Sequence, residues 1–149
     1  MFDRQAFIDN ILDHYENPRH RGKLDDATVT IKGGNPGCGD VITVYLKLDP
    51  ADNDRVIDVS FEGQGCTISQ AAASILSEQI IGLPLAEVTA LDHEAFIEDL
   101  GREVVVNRLR CATLALNTVK AAERKLLELR AGHSHDSTDS TTPDETLTF

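Results

Sequence analysis

No apolar run in this chain approaches the roughly 18 residues that a membrane-spanning helix needs, so a membrane partner is not expected. The first residues, Met1 to Gln5, lack a basic stretch followed by an apolar core, so no secretory signal is expected and a cytoplasmic location is the default. Basic residues are scarce: 14 Lys and Arg stand against 25 Asp and Glu, a net charge of −11. Phosphate binding needs a basic face, so nucleic acid is excluded as the main partner. An acidic surface suits solubility or a basic protein partner. Cysteine is rare too. Three are present, an odd number, so at least one stays unpaired within the chain. In a reducing compartment all three are expected as thiols or metal ligands. No internal repeat is visible, and no Cys-x-x-Cys pair of the kind that builds a local zinc knuckle occurs. What remains is 149 residues at 41% hydrophobic, enough for one domain with a real core.

The three cysteines each have a distinctive setting. Gly37-Cys38-Gly39-Asp40 reads as a tight turn carrying a thiol and a carboxylate two residues apart. Gly63-Gln64-Gly65-Cys66 opens a small-residue helical run, and Arg108-Leu109-Arg110-Cys111 lies in a long amphipathic one. Three unrelated buried cysteines, each packing as a small hydrophobe, would be the bland alternative. Glycine and polar residues flank Cys38 and Cys66, which speaks for one shared site with Asp40 instead.

The spacing of Phe7, Ile8, Ile11, Leu12 and Tyr15 predicts a helix over 3–15 that ends before Pro18. His14 and His20 are read as solvated or interface histidines rather than ligands. Three strands follow. The first is Thr28 to Lys32. The second alternates from Val41 to Leu48, with Ile42, Val44, Leu46 and Leu48 on one face. The third runs from Arg55 to Phe61, with Ile57, Val59 and Phe61 on one face. The cluster Asp49 to Asp54 joins the last two as an antiparallel hairpin. That order brings the end of the third strand beside the start of the second, so Cys38, Asp40 and Cys66 meet at one edge of the sheet.

A helix from Ile68 to Ile80 covers the sheet, with Cys66 at or just before its first turn, where the positive end of the helix dipole favours a thiolate. Residues 84–101 read as short helical pieces whose core is Leu85, Val88, Leu91, Phe96, Ile97 and Leu100; Asp92-His93-Glu94 is a solvated helix start. A long helix is predicted from about Val104 to Leu129. Cys111 sits at the edge of its apolar stripe, and Arg108 lies one turn before it as a cation for the thiolate. The domain spans 1–132. Residues 133–149 form an acidic, Ser/Thr-rich tail, read as disordered, with His133 and His135 incidental.

Three thiolates and a carboxylate give four ligands, a set that suits zinc or an iron–sulfur cluster. The carboxylate is the harder and more displaceable member. A site of this kind reads better as a place to assemble something or pass it on than as a permanent store.

These stretches resemble the U-type iron–sulfur cluster assembly scaffolds, namely IscU, SufU and the N-terminal domain of NifU. The resemblance covers residues 5–130. It rests on Asp13-His14-Tyr15-Glu16-Asn17-Pro18-Arg19, Asn35-Pro36-Gly37-Cys38-Gly39-Asp40, Phe61-Glu62-Gly63-Gln64-Gly65-Cys66-Thr67-Ile68-Ser69 and Arg108-Leu109-Arg110-Cys111-Ala112-Thr113-Leu114. It implies an α+β fold, a small three-stranded antiparallel sheet packed by helices with a long C-terminal helix. It implies Cys38, Asp40, Cys66 and Cys111 as ligands of a transient [2Fe-2S] cluster or of Zn2+. Sulfur would come from a cysteine desulfurase, and recipient apo iron–sulfur proteins or carriers would take the product. IscU members carry Leu-Pro-Pro-Val-Lys and a histidine directly before the third cysteine; here Val104-Val105-Val106-Asn107-Arg108 and Arg110 stand in those places. A dedicated Hsp70-type chaperone contact therefore does not carry over. The third-cysteine motif is closest to SufU, although the stretch from Cys66 to Cys111 is too short for the insertion SufU members typically hold. Three functions follow: a cluster scaffold first, a zinc-dependent sulfurtransferase with Cys38 as persulfide acceptor second, and a structural zinc protein third.

Overall fold

The computed structural model describes residues 4–35, 39–132 and 146–148. The chain opens with α1 (Arg4–Glu16), followed by β1 (Val29–Asn35), β2 (Asp40–Asp49) and β3 (Arg55–Gln64). Helices α2 (Thr67–Ile80), α3 (Leu85–Thr89), α4 (His93–Leu100) and α5 (Arg102–Val105) come next, then α6 (Leu109–Lys120), α7 (Ala122–Gly132) and a short β4 (Thr146–Thr148). The sheet order is β3-β2-β1-β4, with β1–β2 and β2–β3 antiparallel.

The hairpin turns where its residues dictate. Asp49 accepts from the Ala51 amide at 3.0 Å, Pro50 opens a short 3-10 turn, and Asn53 and Asp54 take the left-handed conformation. Such residues tolerate that conformation because their short side chains bond locally. Alternation then holds along β2: Ile42, Val44, Leu46 and Leu48 are all buried. On β3 it slips. The register shifts between Lys47 and Leu48, so Leu48 pairs with Val56 and Lys47 with Asp58. This bulge turns Ile57 outward at 51% exposure and puts Val56 in the core, the reverse of the alternation expected from sequence.

Helices α2 and α6 pack on the apolar face of the sheet, and α1 lies against α2. On the other face, Tyr45 donates to Glu62 at 2.5 Å; burial, then that carboxylate, pushes the Tyr45 hydroxyl up to about 12. The β3 edge is covered in two places. Phe61 exchanges backbone bonds with His20 and Gly22, and Val56 does so with Gly82 and Leu83. Covered edges do not recruit foreign strands.

The three antiparallel strands and the long C-terminal helical region stand as expected; the structure adds finer detail to both and corrects the reading of His14. The long helix is divided: α5 and a 3-10 turn at Val106–Arg108 precede α6, and the chain bends at Ala121 before α7. Amide-to-carbonyl bonds Ala121–Asn117 and Lys125–Ala121 carry the helical ladder through that bend. The sheet has a fourth strand, because Thr146–Thr148, assigned by sequence to the tail, pairs in parallel with Lys32–Gly34. The rest of the tail, including His133 and His135, lies outside the described residues. Finally, His14 is buried, not solvated.

Candidate metal centre

Three elements converge at one end of the sheet. Val41 pairs with Gln64, so β2 starts where β3 finishes, as the hairpin order requires. Asp40, the first residue of β2, is only 2% exposed. Cys66 follows β3 and takes the N-cap position of α2 with extended φ and ψ of −75° and 168°. Cys111 stands in the first turn of α6, buried where α6 packs against α2. The donor atoms of Asp40, Cys66 and Cys111 all lie within 4.8 Å of one another.

The chain is shaped closely around the carboxylate. The Cys66 amide donates to Asp40 Oδ1 at 3.2 Å, and the Cys66 thiol approaches Oδ2 at 3.6 Å. Residues around them have no room for larger side chains. A Cβ at Gly65 would stand 2.7 Å from the Asp40 carboxylate and 2.6 Å from Ser69 Oγ, and one at Gly63 would stand 2.4 Å from the Val41 carbonyl oxygen. The glycines flanking Gln64 are thus required by the closeness of the backbone to β2 and to Asp40. Ser69 Oγ donates to the Cys66 carbonyl at 3.0 Å, which fixes the first turn of α2. Sequence reasoning named Asp40, Cys66 and Cys111 as ligand candidates, and the structure brings their donor atoms together; it missed Gly65 and Ser69 as the wall behind Asp40. The Gly-x-Gly-Cys spacing was the available signal.

Other candidates sort out on the same evidence. Cys38, with Pro36 and Gly37, lies outside the described residues. Arg108 precedes α6 in a non-helical conformation (φ −138°, ψ 38°) and is exposed, so it does not share a helical face with Cys111 as the sequence suggested. His93 bonds Asn117 Oδ1 at 2.5 Å and Asp92 caps α4 through the Ala95 amide, so that acidic cluster is a helix start. His20 is exposed, with φ +61°.

The donor set fits a soft or borderline metal. Two thiols and one carboxylate suit zinc and iron–sulfur chemistry rather than calcium or magnesium, which take oxygen ligands. A metal held here would bind Cys66 and Cys111 as thiolates, since thiol ligands bind deprotonated.

The chain as a whole is similar to known proteins. The sequence profile of the NifU-like N terminal domain matches residues 6–130. The iron-sulfur cluster assembly scaffold protein IscU of Thermotoga maritima is 39% identical over 143 residues, covering 85% of this chain and 98% of that one. IscU of Haemophilus influenzae is 37% identical over 120 residues, covering 78% and 92%. Among solved structures, a scaffold candidate for the SUF system from Fervidobacterium islandicum aligns with a TM-score of 0.63 at 29% identity, over 76% of this chain and 93% of that one. A NifU-like N-terminal domain from Brucella abortus aligns with a TM-score of 0.65, over 82% and 98%; at 22% identity it speaks for the fold alone.

Proposed function

The chain belongs to the NifU-like N-terminal domain family, and we propose that it is an iron–sulfur cluster assembly scaffold. It receives sulfur from a cysteine desulfurase, holds a [2Fe-2S] cluster transiently, and passes it to recipient apoproteins or carriers. The carrying observation is the convergence of Asp40, Cys66 and Cys111 within 4.8 Å. The cluster is cargo here, and the residues that hold it are Cys38, Asp40, Cys66 and Cys111. Cys38 is included on covalent grounds. It is two residues from Asp40, so its Cα lies within about 7.6 Å of that of Asp40. Asn35, three residues before Cys38, pairs with Asp40 across the β1–β2 turn.

The ligands differ in accessibility, which suggests their roles. Cys111 is 3% exposed on a packed helix, and Cys66 is half-buried at the N-cap of α2. Cys38 is flanked by Gly37 and Gly39, and Gly39 is exposed with φ +73°. Cys38 is therefore assigned as first sulfur acceptor. Its thiolate attacks the terminal sulfur of the desulfurase persulfide, the S–S bond breaks, the desulfurase thiolate leaves, and Cys38 carries the persulfide. Asp40 is the ligand most readily displaced by an incoming thiol. Three cysteines acting as thiolates need a reducing setting, in keeping with the cytoplasm.

A second reading, a zinc-bound sulfurtransferase, rests on Arg110 before Cys111, the SufU-like form of that motif. One experiment decides between them. The protein is mixed anaerobically with desulfurase, cysteine and iron, with and without bound zinc, while visible absorbance, sulfide release and the site of added sulfur are followed. Cluster absorbance on the metal-free protein supports the scaffold. Faster sulfide release by the zinc form, with no cluster, supports the transferase. First sulfur on Cys111, with Cys38→Ser still accepting normally, overturns the assignment of Cys38.

A further inference from the structure

The metal centre does not account for the opposite edge of the sheet. There β4 lies on β1 in parallel, with Thr146 level with Lys32, Leu147 with Gly33 and Thr148 with Gly34. Gly33 and Gly34 present bare backbone to the arriving strand. Next to this pairing is a cleft of about 80 Å³ between β1 and α7, whose lining includes Thr30, Ile31, Lys32, Arg124, Lys125 and Glu128. The protein as a whole is strongly acidic, yet three cations and one acid line this cleft. Arg19, Lys47, Arg55, Arg102 and Arg130 each have a carboxylate partner. Among the described residues Lys32, Arg124 and Lys125 have no ion-pair partner.

The direction of β4 matters. Because the pairing is parallel, the chain enters β4 from the Thr30–Ile31 end of β1, which is the end beside the cleft. The residues immediately before Thr146 in sequence are Asp144 and Glu145. The basic cleft therefore stands at the end of the β1 pairing where β4 begins.

We propose that the β1 edge and the basic cleft against α7 form one docking groove for an acidic, strand-forming segment, and that its occupant is this chain's own C-terminal stretch ending in β4. Two forces hold it. Backbone hydrogen bonds to Lys32–Gly34 give the strand its place, as in peptide addition to a sheet edge. The charge of Lys32, Arg124 and Lys125, partly offset by Glu128, selects an acidic approach, and exposed charges of this kind are screened by salt. The occupied groove also leaves no free edge at the glycine end of β1.

Amide hydrogen exchange on the full chain tests this, and cluster loading plays no part in the readout. In the wild-type protein the hydrogen-bonded amides among Thr146–Thr148 are expected to exchange about fivefold more slowly than in an unstructured peptide. Arg124→Glu/Lys125→Glu should lower that protection by at least about threefold, and so should raising the salt to about 0.5 M. A charge-matched control at the exposed Arg4 and Lys23, Arg4→Glu/Lys23→Glu, should leave it unchanged. Peptide-like exchange of Thr146–Thr148 in the wild type would overturn the docking. Protection that survives the Arg124/Lys125 reversal, or that falls equally in the control, would overturn the role of the cleft.

Discussion

Two buried polar clusters lie along α2, one at its first turn and one in its second half, and they are built on opposite principles. In the second, His14 Nδ1 lies 2.7 Å from Ser74 Oγ, which also accepts from the Arg19 amide at 2.8 Å. The other ring nitrogen, Nε2, lies 3.6 Å from Glu78. Donor meets acceptor, and the cluster ties α1 and the turn after it to α2. At the first turn the groups gathered are two thiols and a carboxylate, weak mutual partners contributed by β2, α2 and α6. Thiols make poor hydrogen bonds and good metal ligands. Both clusters spend buried polar groups. One ties helices together through hydrogen bonds, while the other gathers a donor set that suits a soft or borderline metal.

The sharpest test of that contrast is removal of a ligand. Cys66→Ser and Cys111→Ser should each lower zinc affinity by more than about a hundredfold, a larger loss than second-shell changes produce, and Cys38→Ser should do the same if it completes the set. Thermal unfolding of the metal-free proteins should move little. Competition with a chromophoric chelator measures the first quantity. Unchanged affinity for any one variant would remove that cysteine from the centre.

Gly65→Ala comes next. The new methyl would stand 2.7 Å from the Asp40 carboxylate and 2.6 Å from Ser69 Oγ, so the wall behind the ligand must shift. Overpacking of this sort costs about 1–3 kcal/mol, and displaced ligand support weakens metal binding about 10–100-fold. Denaturant titration and chelator competition on the same variant should show both losses together. A variant with full zinc affinity would mean that Asp40 does not depend on its surroundings.

The His14 cluster should answer to pH instead of metal. Burial, then the charge of Arg19, holds the His14 imidazole below its ordinary value, against smaller opposing pulls from Glu78 and Asp13. The unfolded chain therefore takes up the proton first. Stability is complete above about 6.5, the ordinary histidine value, and falls as pH drops through it toward the lower folded value. His14→Gln should flatten that slope, and Ser74→Ala should cost about 1–3 kcal/mol by leaving buried partners unmet, with zinc affinity at pH 7.5 untouched in both. Denaturation midpoints between pH 5.5 and 7.5 provide the check. An unaltered slope in His14→Gln would assign the pH dependence to other groups.

The contrast also explains what could be read in advance. Alternation and turn residues reveal strands, and hairpin order alone brings Asp40 to Cys66, because antiparallel pairing fixes which ends meet. The bulge that exchanges Val56 for Ile57 leaves no mark in a run where both neighbours are apolar. The burial of His14 was hidden for a related reason. A polar residue on a helix reads as surface unless its partner is known, and Ser74 lies 60 residues away. Gly65 gave a signal of type but not of purpose, since glycine before a helix also serves as a plain turn. Strand β4 is three residues long, too short for any period to show.

The smallest effect concerns that strand. Truncation after Gly132 should leave zinc content unchanged and lower stability by no more than about 1 kcal/mol. Each ladder hydrogen bond is worth about 0.5–1.5 kcal/mol net, while fixing each backbone residue costs about 1–2 kcal/mol. For three residues on an edge the two sums nearly cancel. Such a balance suits a segment that docks on a finished domain, and the family match ending at residue 130 agrees with it. Calorimetry and metal analysis of the two forms settle the matter. A loss well beyond 1 kcal/mol would make residues 133–149 part of the folding unit. A loss of zinc would bring them, with His133 and His135, into the metal centre.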